Sequence, residues 1–198
     1  SFEAEAKAMA RLNDPNLIRV YDFGEVDDFL YIIMEAVDGK SLFRSAHGIA
    51  IEQREVARLI HGICEGLAHA HEVGIIHRDI KPENILLLNN GRFPRIQIAD
   101  FGLAMTFDPL AAQPPKSNDN CGTVVYLASE AMRTKCTGES YDPRGIDSWA
   151  LGVTLYVSVA RARSEGVVSR SALILQRTRP PRTAHAQVRS ICFCVGAR

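Results

Sequence analysis

Long apolar runs are missing from this sequence. The longest candidate, around Leu151 to Ala160, falls well short of the ~20 residues needed to cross a bilayer. The first residues carry no basic-then-apolar leader pattern. Cysteine is sparse: five residues, at 64, 121, 136, 192 and 194. None forms a Cys-x-x-Cys pair and the count is odd, which argues against a disulfide framework and against a zinc site. These absences predict a reducing, cytoplasmic setting; a membrane anchor on a longer full-length product remains compatible with it. Net charge is also absent, but only in the total. Residues 161–198 hold eight Arg, no Lys and the single acid Glu165, a net +7 that leaves −7 for residues 1–160. The basic tail has no pattern for reading bases or phosphates, so no nucleic acid partner is expected. Arginine without lysine and without periodicity instead suggests a shifted reading frame or aberrant terminus, disordered or loosely helical.

What is present is an ordinary globular composition, 46% hydrophobic and 23% charged over 198 residues, enough for one good core. Phe2 to Leu12 is rich in helix formers, with Phe2, Ala6, Met9 and Ala10 on one stripe, and Asn13-Asp14-Pro15 stops it. Leu17 to Phe23 and Phe29 to Met34 are β-branched and aromatic, and Gly24 to Asp28 supplies a turn, which predicts a hairpin. Ser41 to Phe43 reads as a short helix start. Ile51 to Val73 is a long helix in which Val56, Leu59, Ile60, Ile63, Leu67 and Ala70 recur at three and four, ended by Gly74 as a C′ glycine. His61, His69 and His71 on it read as surface or packing residues rather than metal ligands. Ile85 to Leu88 and Arg95 to Ala99 are short strands joined by Asn89-Asn90-Gly91. Leu103 to Asn120 has three prolines and no periodicity, and reads as a loop of the long kind that is usually functional or disordered.

Between the long helix and the strand pair stands Ile76-His77-Arg78-Asp79-Ile80-Lys81-Pro82-Glu83-Asn84. Asp100-Phe101-Gly102 follows the second strand. Asp79 or Asn84 alone is a common turn residue, and Lys81 alone is surface charge. Their joint spacing, with an Asp-Phe-Gly downstream, is that of a phosphoryl-transfer loop. Farther on come Cys121 to Glu130 (CGTVVYLASE) and Asp147 to Gly152 (DSWALG). On these motifs the sequence resembles the eukaryotic-type (Hanks-type) serine/threonine protein kinases, of the sort also found in bacteria, over roughly residues 2–159.

The resemblance implies an α+β, protein-kinase-like fold, with a partial β-rich N-lobe and a truncated, mainly helical C-lobe. Residues 1–160 would be a partial kinase domain: N-lobe remnant 1–36, hinge 35–39 and C-lobe 40–160, followed by the tail 161–198. The implied activity is ATP-dependent phosphorylation of Ser/Thr hydroxyls on a protein substrate, with ATP and Mg2+ as cofactors. Asp79 would orient or accept the hydroxyl proton. Lys81, typical of the Ser/Thr branch, would neutralise the transferring phosphate. Asn84 and Asp100 would hold Mg2+, and Thr123 would assist Asp79 and Lys81. Met34, Glu35, Val37, Leu86 and Glu5 are implied in nucleotide binding, Met34 as gatekeeper and the Glu35 carbonyl and Val37 amide as adenine partners. His77 and Phe101, with Met9 and Val20, match a stacked apolar spine between lobes. Arg78 is expected to bind a phosphate on the 103–120 segment, Ser117 or Thr106 being the available hydroxyls and Ser117 the better choice. Asp147 would bond the catalytic-loop backbone from below.

The sequence departs from the family in three ways. It has no Gly-x-Gly-x-x-Gly loop and no Val-Ala-x-Lys strand ahead of the first helix, and Ser129 replaces the proline of the Ala-Pro-Glu closure. The expectation is therefore an N-terminally truncated, inactive or impaired fragment. The alternative is a non-catalytic, kinase-shaped binding or scaffold module.

Overall fold

The computed structural model describes residues 7, 9–26, 29–45, 53–88, 95–163 and 191–195. Lys7 and Met9 are helical, and the start of the expected first helix, with Glu5, lies outside the described residues.

Strands β1 (Val20–Val26) and β2 (Phe29–Glu35) form an antiparallel hairpin in which Val26 faces Phe29 and Val20 faces Met34. Gly24, Glu25 and Val26, expected in the turn Gly24 to Asp28, are thus paired strand residues. Gly24 is a ladder residue opposite Tyr31, and pairing of Glu25 with Leu30 and Val26 with Phe29 continues the strand beyond it. A Cβ at Gly24 would sit 2.5 Å from the Tyr31 hydroxyl, so the tyrosine lies across the glycine. Leu17, expected at the start of this strand, instead bridges Ile98 in parallel. The Ile18 N–H donates to the Ile98 carbonyl at 2.9 Å and the Ile98 N–H donates to the Asn16 carbonyl at 2.8 Å, which staples the hairpin to the second sheet.

Beyond residues 36–38 come β3 (Gly39–Ser41) and the single turn α1 (Leu42–Ser45). Helix α2 (Gln53–Glu72) is the scaffold of the molecule. Its stripe Leu59, Ile63, Leu67 and Ala70 is buried at 0–6% exposure, and each buried Leu or Ile side chain stabilises the fold by about 1.5–3 kcal/mol. The helix stops at Gly74, whose φ of +82° is open to glycine at little cost. Strand β4 (Ile75–Ile76) follows. Strands β5 (Ile85–Leu88) and β6 (Arg95–Ile98) pair antiparallel, with β3 on the other edge of β5. Strand β7 (Met105–Thr106) pairs with β4. The expected continuous loop 103–120 is therefore tied down at 105–106, and again where Ser117 bridges Tyr141.

After a 3-10 turn at Val124–Tyr126, helix α3 (Ser129–Thr137) ends on Gly138 at φ 70°. A second 3-10 turn, Pro143–Gly145, leads into α4 (Ile146–Arg163). The boundary expected at residue 160 thus falls inside a helix. Strand β8 (Ile191–Val195) lies parallel to β2, with Tyr31 facing Ile191 and Glu35 facing Val195. Residues 164–190 lie outside the described residues.

One large core joins Met9, Val20, Ile63, Ile80, Ile85, Ile98, Phe101 and Leu151. A smaller one gathers Ile76, Leu127, Ala128, Ala131 and Ile146 under the 121–130 segment. The short loops that carry the polar motifs run between these two cores. Among the described residues no helix is long and apolar enough to cross a membrane.

Candidate active site

Residues 77–84 run between β4 and β5 without regular structure, so their backbone groups need partners from elsewhere. Buried Asp147 at the start of α4 supplies them. Its carboxylate accepts the His77 N–H at 2.9 Å and the Arg78 N–H at 2.8 Å. Arg78 takes φ 66°, a left-handed conformation that costs a non-glycine residue about 1–2 kcal/mol. The bond to Asp147 holds it there. Thr154, two turns along the same face of α4, donates its hydroxyl to the Ile80 carbonyl at 3.4 Å. The expectation that Asp147 bonds the loop from below agrees with this geometry.

On that platform Asp79 is buried and its carboxylate is surrounded. Lys81 Nζ donates to Oδ2 at 2.5 Å, the Thr123 hydroxyl donates to Oδ1 at 2.8 Å, and the Thr123 N–H also donates to Oδ1 at 3.0 Å. Lys81 Nζ also reaches the Thr123 hydroxyl at 3.0 Å. Asn84 Nδ2 donates to the Asp79 carbonyl at 2.9 Å and more weakly to Oδ2 at 3.3 Å. Four of the five residues expected at the reacting centre, Asp79, Lys81, Asn84 and Thr123, are thus mutually bonded, although Thr123 lies more than forty positions from Asp79.

The neighbours of Asp100, the fifth, are tied to this loop. The Ala99 N–H donates to the Asn84 carbonyl at 2.9 Å, and His77 Nε2 meets the Ala99 carbonyl at 3.0 Å. The Phe101 ring packs against His77 at a tilt of 56°, with ring centroids 4.6 Å apart. Asp100 itself is exposed at φ 65°, with only a 3.4 Å contact from the Gly102 N–H to its Oδ1. Because the Asn84 amide hydrogens point at Asp79, its carbonyl oxygen is the polar atom left to serve as a ligand. That oxygen and the lightly engaged Asp100 carboxylate are hard donors, and they fit Mg2+, which takes one or two protein oxygens and keeps water and phosphate in its other positions.

The residues expected around the nucleotide base lie along the junction of the two sheets. Met34 and Val37 are half-buried against the large core, as is Leu86 on β5. The Glu35 N–H donates to the Arg19 carbonyl at 2.8 Å, and its carboxylate accepts Gln97 Nε2 at 3.0 Å. Gln97 faces Leu86 across the β5–β6 ladder, so the Glu35 side chain links hinge to sheet. Glu5 lies outside the described residues. Met9, Val20, His77 and Phe101 are all buried, as the spine reading requires.

Three residues escaped the sequence reading. His71 on α2, taken for a packing histidine, places Nε2 2.8 Å from Asp147 Oδ2. Asp119, one acid in an irregular segment, pairs with Arg78 Nη1 at 2.9 Å. Thr154 had no local pattern to mark it. Ser117, the hydroxyl favoured for modification, is 5% exposed, and its Oγ accepts the Asp119 N–H at 3.1 Å. Arg78 therefore faces Asp119 and not Ser117. Glu130 is half-buried and receives the Ser129 hydroxyl at 3.2 Å.

Comparison with known proteins agrees with this geometry. The profile of the protein kinase domain matches residues 1–170. The chain belongs to the protein kinase family. This kinase chain is 36% identical over 166 residues to a probable serine/threonine-protein kinase PknB of Bifidobacterium longum, covering 78% of the chain and 23% of the relative. It is 38% identical over 160 residues to serine/threonine-protein kinase pkn3 of Myxococcus xanthus, covering 78% and 28%. A calcium/calmodulin-dependent protein kinase type 1 of Caenorhabditis elegans is 34% identical over 159 residues, covering 79% and 42%. The kinase chain thus spans less than half the length of these relatives. Bacterial serine/threonine kinases stand among them, as the resemblance implied.

Proposed function

We propose that this chain carries the reacting centre of a protein serine/threonine kinase that transfers the γ-phosphoryl group of ATP to a Ser or Thr hydroxyl of a protein substrate. The observation that carries the reading is the Asp79 carboxylate, fixed by Lys81, Asn84 and Thr123 from two separate segments. Mg-ATP, when bound, supplies the transferable phosphoryl group and the divalent charge that offsets its oxygens. Asp79 orients the acceptor hydroxyl and takes up its proton. Lys81 lies against both Asp79 and Thr123, so its positive charge sits where negative charge gathers during transfer. Asn84 and Asp100 are the residues to hold Mg2+. Thr123 fixes the rotamer of Asp79 from the side of the peptide. Met34, Glu35, Val37 and Leu86 line the place of the adenine ring, and Glu5 is assigned as the acid that pairs with a nucleotide-binding lysine.

The test is transfer of labelled phosphate from Mg-ATP to a Ser/Thr peptide by this chain and by Asp79→Asn. The expected loss in the variant is about 10²–10⁴-fold, the range for removing a positioned acid–base group. Equal rates in the two proteins would refute the assignment. A melting shift with Mg-ATP and no transfer by either protein would favour the scaffold reading instead.

A further inference from the structure

Arg78 makes contacts that the reacting centre does not need. Its side chain is only 11% exposed, and its guanidinium gathers the segment that follows Asp-Phe-Gly. Nε donates to the Leu103 carbonyl at 2.7 Å, Nη2 reaches the Ala104 carbonyl at 3.5 Å, and Nη1 donates to Asp119 Oδ2 at 2.9 Å. One arginine thereby clasps both the start and the end of the segment.

Asp119 is itself held in place. Its N–H donates to Ser117 Oγ and its carbonyl accepts the Tyr141 hydroxyl at 2.9 Å. Ser117 and Tyr141 exchange backbone hydrogen bonds in both directions, at 2.9 and 3.0 Å. Just beyond, Gly122 passes so close that a Cβ there would meet the Arg78 carbonyl at 2.7 Å. The next residue, Thr123, grips Asp79. The path from Asp119 to the reacting centre is therefore four residues of chain fixed at both ends.

We propose that Asp119 is a positioning residue: its carboxylate is a built-in anionic latch that keeps the 103–123 segment closed on Arg78 without any phosphate on the segment. An arginine so placed is a ready receptor for a phosphate, and here the Asp119 carboxylate occupies it. Ser117 is poorly suited to modification, since the residue is buried and its Oγ is already engaged by the Asp119 N–H. The purpose of the latch rests on the phosphoryl-transfer reading above; its existence does not.

A cleft of about 600 Å3 lined by Arg78, Lys116 and Asp119 opens beside the pair, and the Asp119 side chain is 65% exposed. Solvent and salt therefore reach the latch, and its effect is modest and screenable. The probe is a lysine-specific protease acting on the intact chain, with cleavage after Lys116 followed by mass spectrometry and cleavage after Lys40 as the internal standard. Asp119→Asn should cleave after Lys116 roughly two- to fivefold faster, the size expected for one exposed ion pair, with Lys40 unchanged. Asp119→Glu should stay near the parent rate. High salt should speed the parent toward the Asn variant. In an Arg78→Gln background, Asp119→Asn should add nothing. An unchanged Lys116 rate in Asp119→Asn, or an equal acceleration with and without Arg78, would overturn the latch. Neither result depends on whether phosphate is transferred, so loss of the latch and loss of the kinase reading are read separately.

Discussion

Asp147 accepts the Arg78 backbone N–H at 2.8 Å across 69 positions of sequence. The same carboxylate accepts the His77 N–H and faces His71 Nε2, so one buried group joins α4, α2 and the loop before Asp79.

Removing that group should therefore destabilise the whole domain and not the site alone. Asp147→Ala strands two loop amides and the His71 ring nitrogen in the interior, at a cost of about 3–5 kcal/mol. Asp147→Asn keeps one acceptor oxygen in the same volume and should cost about 1–3 kcal/mol. Urea unfolding followed by circular dichroism measures both, and the order Ala worse than Asn is the critical outcome. Equal losses would mean that the volume, not the acceptor, is what matters there.

The same carboxylate gives the stability an acid limb. Burial on its own pushes the Asp147 acid upward, but the His71 hydrogen bond, the nearby His77 and the His77 amide outweigh it and hold it below the ordinary 3.8. A group whose folded value lies below its unfolded value stabilises fully above the unfolded value and loses that contribution as pH falls through the folded one. The stability difference between the parent chain and Asp147→Asn should thus be flat from neutral pH to about 5 and narrow only below about 4. Urea midpoints of the two proteins against pH check this, and a gap that closes between pH 7 and 5 would contradict it.

How much of this was legible from the residues depended on the distance over which each feature is encoded. The loop at 76–84 and the Asp-Phe-Gly turn are short, ordered strings, and their spacing carried Asp79, Lys81, Asn84 and Asp100 directly. Helix α2 and Gly74 were legible because amphipathic period and a C′ glycine are local signals. Helix α3 carried a comparable signal in Gly138 that went unread. Strands β4 and β7 were not legible, since two residues show no period and their partners lie some thirty positions apart. The roles of His71, Asp119 and Thr154 depend on tertiary contact alone. The end of β1 was misplaced because a glycine reads as a breaker, whereas Gly24 is a ladder position under Tyr31.

Two glycines of positive φ separate conformational strain from steric collision. At Gly138, φ is 70° and a Cβ would meet nothing within 4 Å, so Gly138→Ala should cost about 1–2 kcal/mol for the left-handed backbone alone. At Gly74, φ is +82° and a Cβ would sit 2.2 Å from the Phe107 carbonyl oxygen. That carbonyl also accepts no slack from its surroundings, because the Phe107 N–H donates to the Gly74 carbonyl at 2.8 Å and β7 is paired to β4 just before it. Gly74→Ala must therefore push β7 away from β4, and should cost clearly more than Gly138→Ala, by about 1–3 kcal/mol in the manner of an overpacked site. The displacement would also loosen the segment that Arg78 clasps, so amide exchange at residues 103–108 should rise in Gly74→Ala and not in Gly138→Ala. Equal unfolding free energies for the two variants would mean that the β4–β7 pair yields freely and does not anchor the segment.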